Sequence, residues 1–257
     1  MSKKCFFPIL LSVLINGCGR PADRETLHQV GTIDALLSGV YDGEFSPQDL
    51  AKRGDFGLGT FNALNGEMII LDGKVYHITS DGKVALADLN DKTPFASVTY
   101  FDTDWEVAIP TGTNFDSLTK IIDNAIPTEN IFYAIKIEGK FSTVRTRSVP
   151  AQSRPYKPLV EISATQPEFD LEDVQGTIIG IRCPLYVAGV NVPGYHLHFL
   201  SADKSTGGHL LAFTTAEDVV VKIDETNALT MILPHDADFY NIDLTADKQA
   251  DLEKAEK

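Results

Sequence analysis

Between residues 56 and 87, three dipeptides, Asn65-Gly66, Asp72-Gly73 and Asp81-Gly82, interrupt short apolar stretches. Asn-Gly and Asp-Gly pairs adopt the positive φ angles that tight hairpin turns require. A chain that reverses at such short intervals has room for strands but not for helices. The segment therefore predicts four antiparallel strands in a meander. Strand patterns also occupy residues 132–137, 177–187, 195–200, 209–214, 219–223 and 229–233. Helical signals are fewer. Ile33, Leu36, Leu37 and Val40 fall at helical spacing, and Ser46-Pro47 followed by Asp49 reads as a capped helix start. Phe115, Leu118, Ile122 and Ala125 mark one face of a helix over 114–125 that Pro127 closes, and residues 245–256 are helical by composition.

The balance is a β-rich α+β fold. Residues 147–158 hold Pro150, Pro155 and Pro158 and few apolar side chains, so they read as a linker or irregular loop. Two tightly packed halves, 31–155 and 156–257, are expected to meet there. The polar residues 19–30 read as a tether. At 257 residues the chain is long enough for such cores. Its net charge of −14 excludes nucleic acid and anionic membrane as general partners, because both need a basic surface.

Residues 1–18 form a separate unit. Lys3 and Lys4 precede an apolar run over 6–15 that is too short to span a bilayer as a mature helix. Leu14-Ile15-Asn16-Gly17-Cys18 resembles the lipobox of bacterial lipoproteins, where cleavage precedes a lipidated cysteine. The expectation is an exported protein, anchored through Cys18 on the extracytoplasmic side or, if cut a few residues later, secreted. Cys5 would leave with the signal. Cys183, the remaining one of three cysteines, sits in an apolar run and reads as a buried strand thiol.

His196 and His198 flank Leu197 in a strand pattern, so both imidazoles point to one face about 6 to 7 Å apart. A polar loop over 201–208 ends in Gly207-Gly208, and His209 opens the return strand beside the pair. Three neutral imidazoles leave zinc an open position and its full charge, as in catalytic sites. The same spacing also fits half-buried strand histidines held by ordinary hydrogen bonds, and the residues alone leave both readings open. His28, His77 and His235 stand apart and read as structural or surface residues.

Three motifs carry a resemblance. Gly54-Asp55-Phe56-Gly57-Leu58-Gly59-Thr60-Phe61-Asn62 with Gly66-Glu67, then Arg145-Thr146-Arg147-Ser148-Val149-Pro150, then Gly194-Tyr195-His196-Leu197-His198-Phe199 with Gly207-Gly208-His209 resemble, in order, the signatures of the acetolactate decarboxylase family. The resemblance implies conversion of (S)-2-acetolactate to (R)-acetoin and carbon dioxide in acetoin and butanediol metabolism. It implies Zn2+ on His196, His198 and His209, with Thr60, Glu67 and Arg147 in the site. It also implies a C-terminal glutamate there, which Glu256 fits best and Glu253 second. It implies a mixed N-terminal sheet with helices, a smaller β-barrel-like C-terminal half, and a homodimer.

The chemistry agrees with these residue types. Acetolactate is a β-keto acid whose ketone can receive the electrons left by carbon dioxide. Its hydroxyl and ketone oxygens lie on adjacent carbons and together can chelate one metal, so zinc would stabilise the enediolate. Arg147 suits the carboxylate or the enediolate. Glu67 or Arg147 is the candidate proton donor, and Thr60 reads as a hydrogen-bonding residue. No glycine-rich nucleotide loop suggests an organic cofactor. Two alternatives remain beside this reading: a cupin-like metal oxygenase, which also uses His-x-His on a strand, and an exported non-enzymatic zinc-binding lipoprotein.

Overall fold

The computed structural model describes residues 24–256, so the expected signal segment, with Cys5 and Cys18, lies outside the described residues. Strand β1 (Thr26–Val30) leads into two short helices, α1 (Ile33–Leu37) and α2 (Pro47–Leu50). The Thr32 side chain accepts from the Ala35 N–H to cap α1. Ser46 and Asp49 cap α2 reciprocally, with Pro47 in its first turn. The meander follows as β2 (Phe56–Thr60), β3 (Glu67–Leu71), β4 (Lys74–Ile78) and β5 (Val84–Leu86), each antiparallel to the next. Asp72 and Gly73 take φ of 51° and 73°, the two positive angles of a two-residue hairpin. Asn65-Gly66 does not form one. The longer connection 61–66 contains a 3-10 turn at Asn62–Leu64, and Ala63, Leu64 and Gly66 carry the positive φ angles.

Strands β6 (Ala96–Thr99) and β7 (Trp105–Ile109) come next, then helix α3 (Phe115–Ala125), capped by Asn114 and burying Leu118 and Ile122. Two long strands, β8 (Phe132–Arg147) and β9 (Glu168–Cys183), flank helix α4 (Leu159–Ser163). The chain then runs through β10 (Gly194–Ser201), β11 (Gly207–Thr215), β12 (Val219–Thr226) and β13 (Ala228–Ile232). It ends in helices α5 (Ala237–Asn241) and α6 (Gln249–Glu256).

These strands make two sheets. The first has the order β13-β1-β6-β2-β3-β4-β5 and is mixed, because β1 and β13 run parallel. The second is antiparallel, in the order β11-β10-β9-β8-β12-β7, with β11 also pairing the far half of β8. The α+β class stands, with much sheet and few helices; no closed barrel is assigned among the described residues. The division expected near residue 155 does not divide the sheets. β8 and β9 pair from Tyr133↔Arg182 to Arg147↔Glu168, on either side of the proline-rich loop, and β13 returns to the first sheet beside β1. The expected tether over 19–30 is likewise corrected over its described part, 24–30. Thr26–Val30 is an inner strand between β13 and β6, and Leu27 and Gln29 are fully buried. Gln29 can be buried because its amide donates to the Gly31 and Val190 carbonyls and accepts from Asn191.

Alternation along the strands assigns the layers. Ile178 of β9 and Leu197 and Phe199 of β10 pack with α3 on one face of the second sheet. On the other face Ile179, Ile181, Cys183 and Leu200 meet Leu27, Phe56, Leu58 and Ile69 of the first sheet. Cys183 is fully buried there, and burial pushes its thiol well up, which fits an inert strand thiol. Helices α1, α4 and α6 close one end of this interface through Ile33, Leu36, Leu159, Ile162, Leu252 and Ala255. Where β2 pairs with β6, Gly59 lies opposite Ala96 in close backbone contact. A Cβ on Gly59 would lie 2.4 Å from the Phe95 carbonyl oxygen and 2.8 Å from the Ala96 Cα. Gly59→Ala is therefore expected to cost roughly 1–3 kcal/mol of stability. Urea denaturation measures this, and an unchanged midpoint would show that the sheet yields at that point.

Candidate active site

Strand register assembles the site. In β10, the alternation that sends Leu197 and Phe199 toward α3 sends His196 and His198 toward the first sheet. His198 stands opposite His209 of β11, and His209 opposite Arg147 at the end of β8. Directly paired residues share a face, so the ladder places these side chains together. Gly207-Gly208 belongs to β11 rather than to the loop before it. Gly208, at φ 144°, lets β8 approach so closely that a Cβ would meet the Arg147 carbonyl oxygen at 2.4 Å. From the first sheet come Thr60 and Glu67, paired across β2 and β3. Helix α6 brings Glu256, the best-fitting of the two C-terminal candidates. Exposed Glu253 instead accepts from Gln249.

One ring nitrogen from each of His196, His198 and His209 lies within 4.8 Å of the others, and all three rings are buried. Burial is the main force holding each imidazole neutral. Arg147 pushes the same way on all three, and His196 does so on His198 and His209, while Glu256 opposes it at His196. Neutral imidazole is the metal-binding form. The His198 Nδ1 bonds the Met68 carbonyl at 3.1 Å, which orients the ring and assigns Nδ1 as the donor. Its Nε2, and the Nδ1 of His196, are buried without a hydrogen-bond partner. Such orphaned nitrogens are costly in a protein interior, and a cation among the three rings would satisfy the His198 Nε2. The donor set therefore fits a metal ion.

Two carboxylates and a guanidinium surround the trio. Glu67 Oε2 lies 3.7 Å from the His198 Nε2, and Glu256 Oε2 lies 3.7 Å from His196 Nε2 and 3.8 Å from His209 Nε2. Beside neutral rings these are contacts rather than ion pairs. Burial pushes the Glu67 carboxyl up to about 8; Arg147 and the Val149 backbone N–H oppose the rise, and Glu256 adds to it. Arg147 is 5% exposed and donates through Nη2 to the Ala255 carbonyl, which ties the end of α6 to the site. The Thr60 hydroxyl donates to the Gly66 carbonyl at 2.7 Å, so it holds the loop that presents Glu67. His77 pins the same loop through the Asn65 carbonyl, at 2.7 Å, and stacks near Phe61, a structural role as expected.

A pocket opens beside the trio. Thr60, Glu67, Arg147, His196 and Glu256 line it, with Ile33, Leu36, Leu64, Phe95, Val149 and Leu159 as apolar walls. Gln166 lines it too, with a buried Oε1 that meets no hydrogen-bond partner. Nothing in the sequence singles out this glutamine. It lies in the loop between α4 and β9, where no pattern marks a side chain that turns inward.

Buried neutral imidazoles with two carboxylates and an arginine, beside a small pocket, define a candidate metal-dependent enzyme. Comparison with known proteins narrows this. Residues 27–246 match the alpha-acetolactate decarboxylase family. A relative of that name from Methanosarcina mazei is 47% identical over 91% of this chain and 81% of its own length. One from Bacillus subtilis is 42% identical over 90% of each. The crystal structure of alpha-acetolactate decarboxylase from Bacillus subtilis strain 168 gives a TM-score of 0.87 at 41% identity, covering 90% of this chain and 99% of that one. The chain belongs to the alpha-acetolactate decarboxylase family and is an enzyme of the carboxy-lyase class. That membership displaces the oxygenase and non-enzymatic alternatives. The matched span ends at residue 246, so the placing of Glu256 rests on its geometry.

Proposed function

We propose that the chain converts (S)-2-acetolactate to (R)-acetoin and carbon dioxide, with zinc held by His196, His198 and His209. The observation that carries this reading is the convergence of three buried, neutral imidazoles on one point beside Arg147. In the reaction the bond to the carboxylate carbon breaks, its electron pair moves into the ketone carbonyl, and one carbon then takes a proton. Zinc, when bound, supplies Lewis-acid polarisation of the adjacent hydroxyl and ketone oxygens. Arg147 meets negative charge, on the carboxylate or on the oxygens that gain charge as carbon dioxide leaves, with a planar paired donor. Glu67, beside His198 and lining the pocket, holds the proton for delivery to one face. Glu256 stands next to His196 and His209 and lines the same pocket. The apolar walls exclude water and accept the substrate's methyl groups.

Chiral gas chromatography tests the reading: racemic acetolactate should yield one acetoin enantiomer, whereas racemic product would indicate only uncatalysed loss of carbon dioxide. Glu67→Gln keeps the shape of the side chain and removes its ionisable proton. Its expected result is full zinc content with turnover lowered on the order of a hundredfold. Unchanged kinetics would remove Glu67 from the reaction. Export through residues 1–18, a lipid on Cys18 and assembly as a homodimer complete the proposal. A Cys18→Ala chain that still carries a lipid label would remove the anchor, and a monomer mass by light scattering would remove the dimer.

A further inference from the structure

We infer that Asp102, Asp104 and Asp224 form a binding site for a hard divalent cation of the calcium class, separate from the histidine trio. One carboxylate oxygen from each lies within 4.8 Å of the others. Asp102 and Asp104 sit in the connection between β6 and β7; Asp224 sits on β12. The backbone holds them in register, since the Asp104 N–H donates to the Ile223 carbonyl at 2.9 Å and the Glu225 N–H donates to Asp104 Oδ2 at 2.8 Å.

Acidic clusters at a surface are common and usually mean only solvated charge. Two buried groups set this one apart. Asp224 is fully buried, and neither of its carboxylate oxygens makes a hydrogen bond. Thr226, two residues along the same strand face and 1% exposed, has an unpartnered hydroxyl as well. A carboxylate so placed is costly unless a cation or a proton compensates it. The nearby cation is Arg24, whose Nε donates to Asp102 Oδ2 at 2.6 Å. One guanidinium does not balance the three clustered carboxylates, and Glu25 adds negative charge near Asp224, which favours a divalent ion. Hard cations take carboxylate oxygens and water in flexible geometry, and the exposed Asp104 leaves the site open to solvent for both. Without a cation, burial and then Asp102, Asp104 and Glu25 push the Asp224 carboxyl up to about 8. The rival occupant is therefore a proton.

Trp105, the only tryptophan in the chain and the residue next to Asp104, provides the probe. The zinc-loaded full chain is titrated with terbium(III), a hard oxygen-seeking ion, under excitation of Trp105. The expected result is saturable sensitised emission at one equivalent, displaced by calcium. Asp104→Asn and Asp224→Asn should each weaken terbium binding by at least tenfold, with zinc content and acetolactate turnover unchanged. Asp104 is exposed, so its variant should fold even if the Asp224 variant does not. Absence of saturable emission, or equal affinity in parent and Asp104→Asn, would overturn the site. So would an Asp224→Asn protein that gains thermal stability and binds terbium like the parent, which would show a buried neutral acid.

Discussion

His198→Ala is expected to lose bound zinc and lower turnover by roughly a thousandfold or more, the several kcal/mol that a Lewis-acid metal supplies. His198 pairs with His209 across the ladder, neighbours His196 on the same strand face, and is 1% exposed. Its removal leaves two imidazoles and an enlarged cavity, and it strips the Met68 carbonyl of its ring donor. The second effect is on stability and costs about 1–3 kcal/mol. Circular dichroism at the assay temperature and zinc by atomic emission separate the two. A folded His198→Ala protein that kept stoichiometric zinc and full turnover would refute the ligand assignment.

Arg147→Ala is expected to damage both fold and function. Arg147 is the cation that opposes the burial-driven rise of Glu67 and adds to burial in keeping His209 neutral, and its Nη2 fastens the end of α6. Without it, buried Glu67 and half-buried Glu256 lie near each other with their charge uncompensated, a loss on the order of 3 kcal/mol by analogy with broken buried ion pairs. Arg147→Lys restores a positive charge but not the planar fork, so it should recover part of the stability and little of kcat/KM. Urea denaturation reads the first quantity and initial-rate kinetics the second. Full turnover in Arg147→Lys would show that charge alone suffices.

These outcomes depend on long-range register, which also explains what was legible in the sequence. The meander was legible because its turns are local: Asp72-Gly73 needs only two positive φ angles to be a hairpin. Strand β1 was not, because Thr26–Val30 has too few apolar residues to show a period. It is buried by its neighbours β13 and β6, and β13 lies about two hundred residues further along the chain. The prolines over 150–158 marked a loop correctly, but not a division of the sheets, because pairing between β8 and β9 leaves no local trace. In the site, the three histidines could be read from strand alternation and one return strand. Thr60, Glu67, Arg147 and Glu256 became visible only through the family resemblance, since each alone looks like an ordinary strand, turn or tail residue. Gln166 was invisible to both routes.

The most direct test of the central claim is acetoin release from racemic acetolactate, measured on protein stripped by a chelator and then restored with one equivalent of zinc. The account predicts that stripped protein releases acetoin at the uncatalysed rate and that zinc restores turnover. His198→Ala should not recover. Full turnover by the stripped protein, or none by the zinc-loaded one, would contradict it.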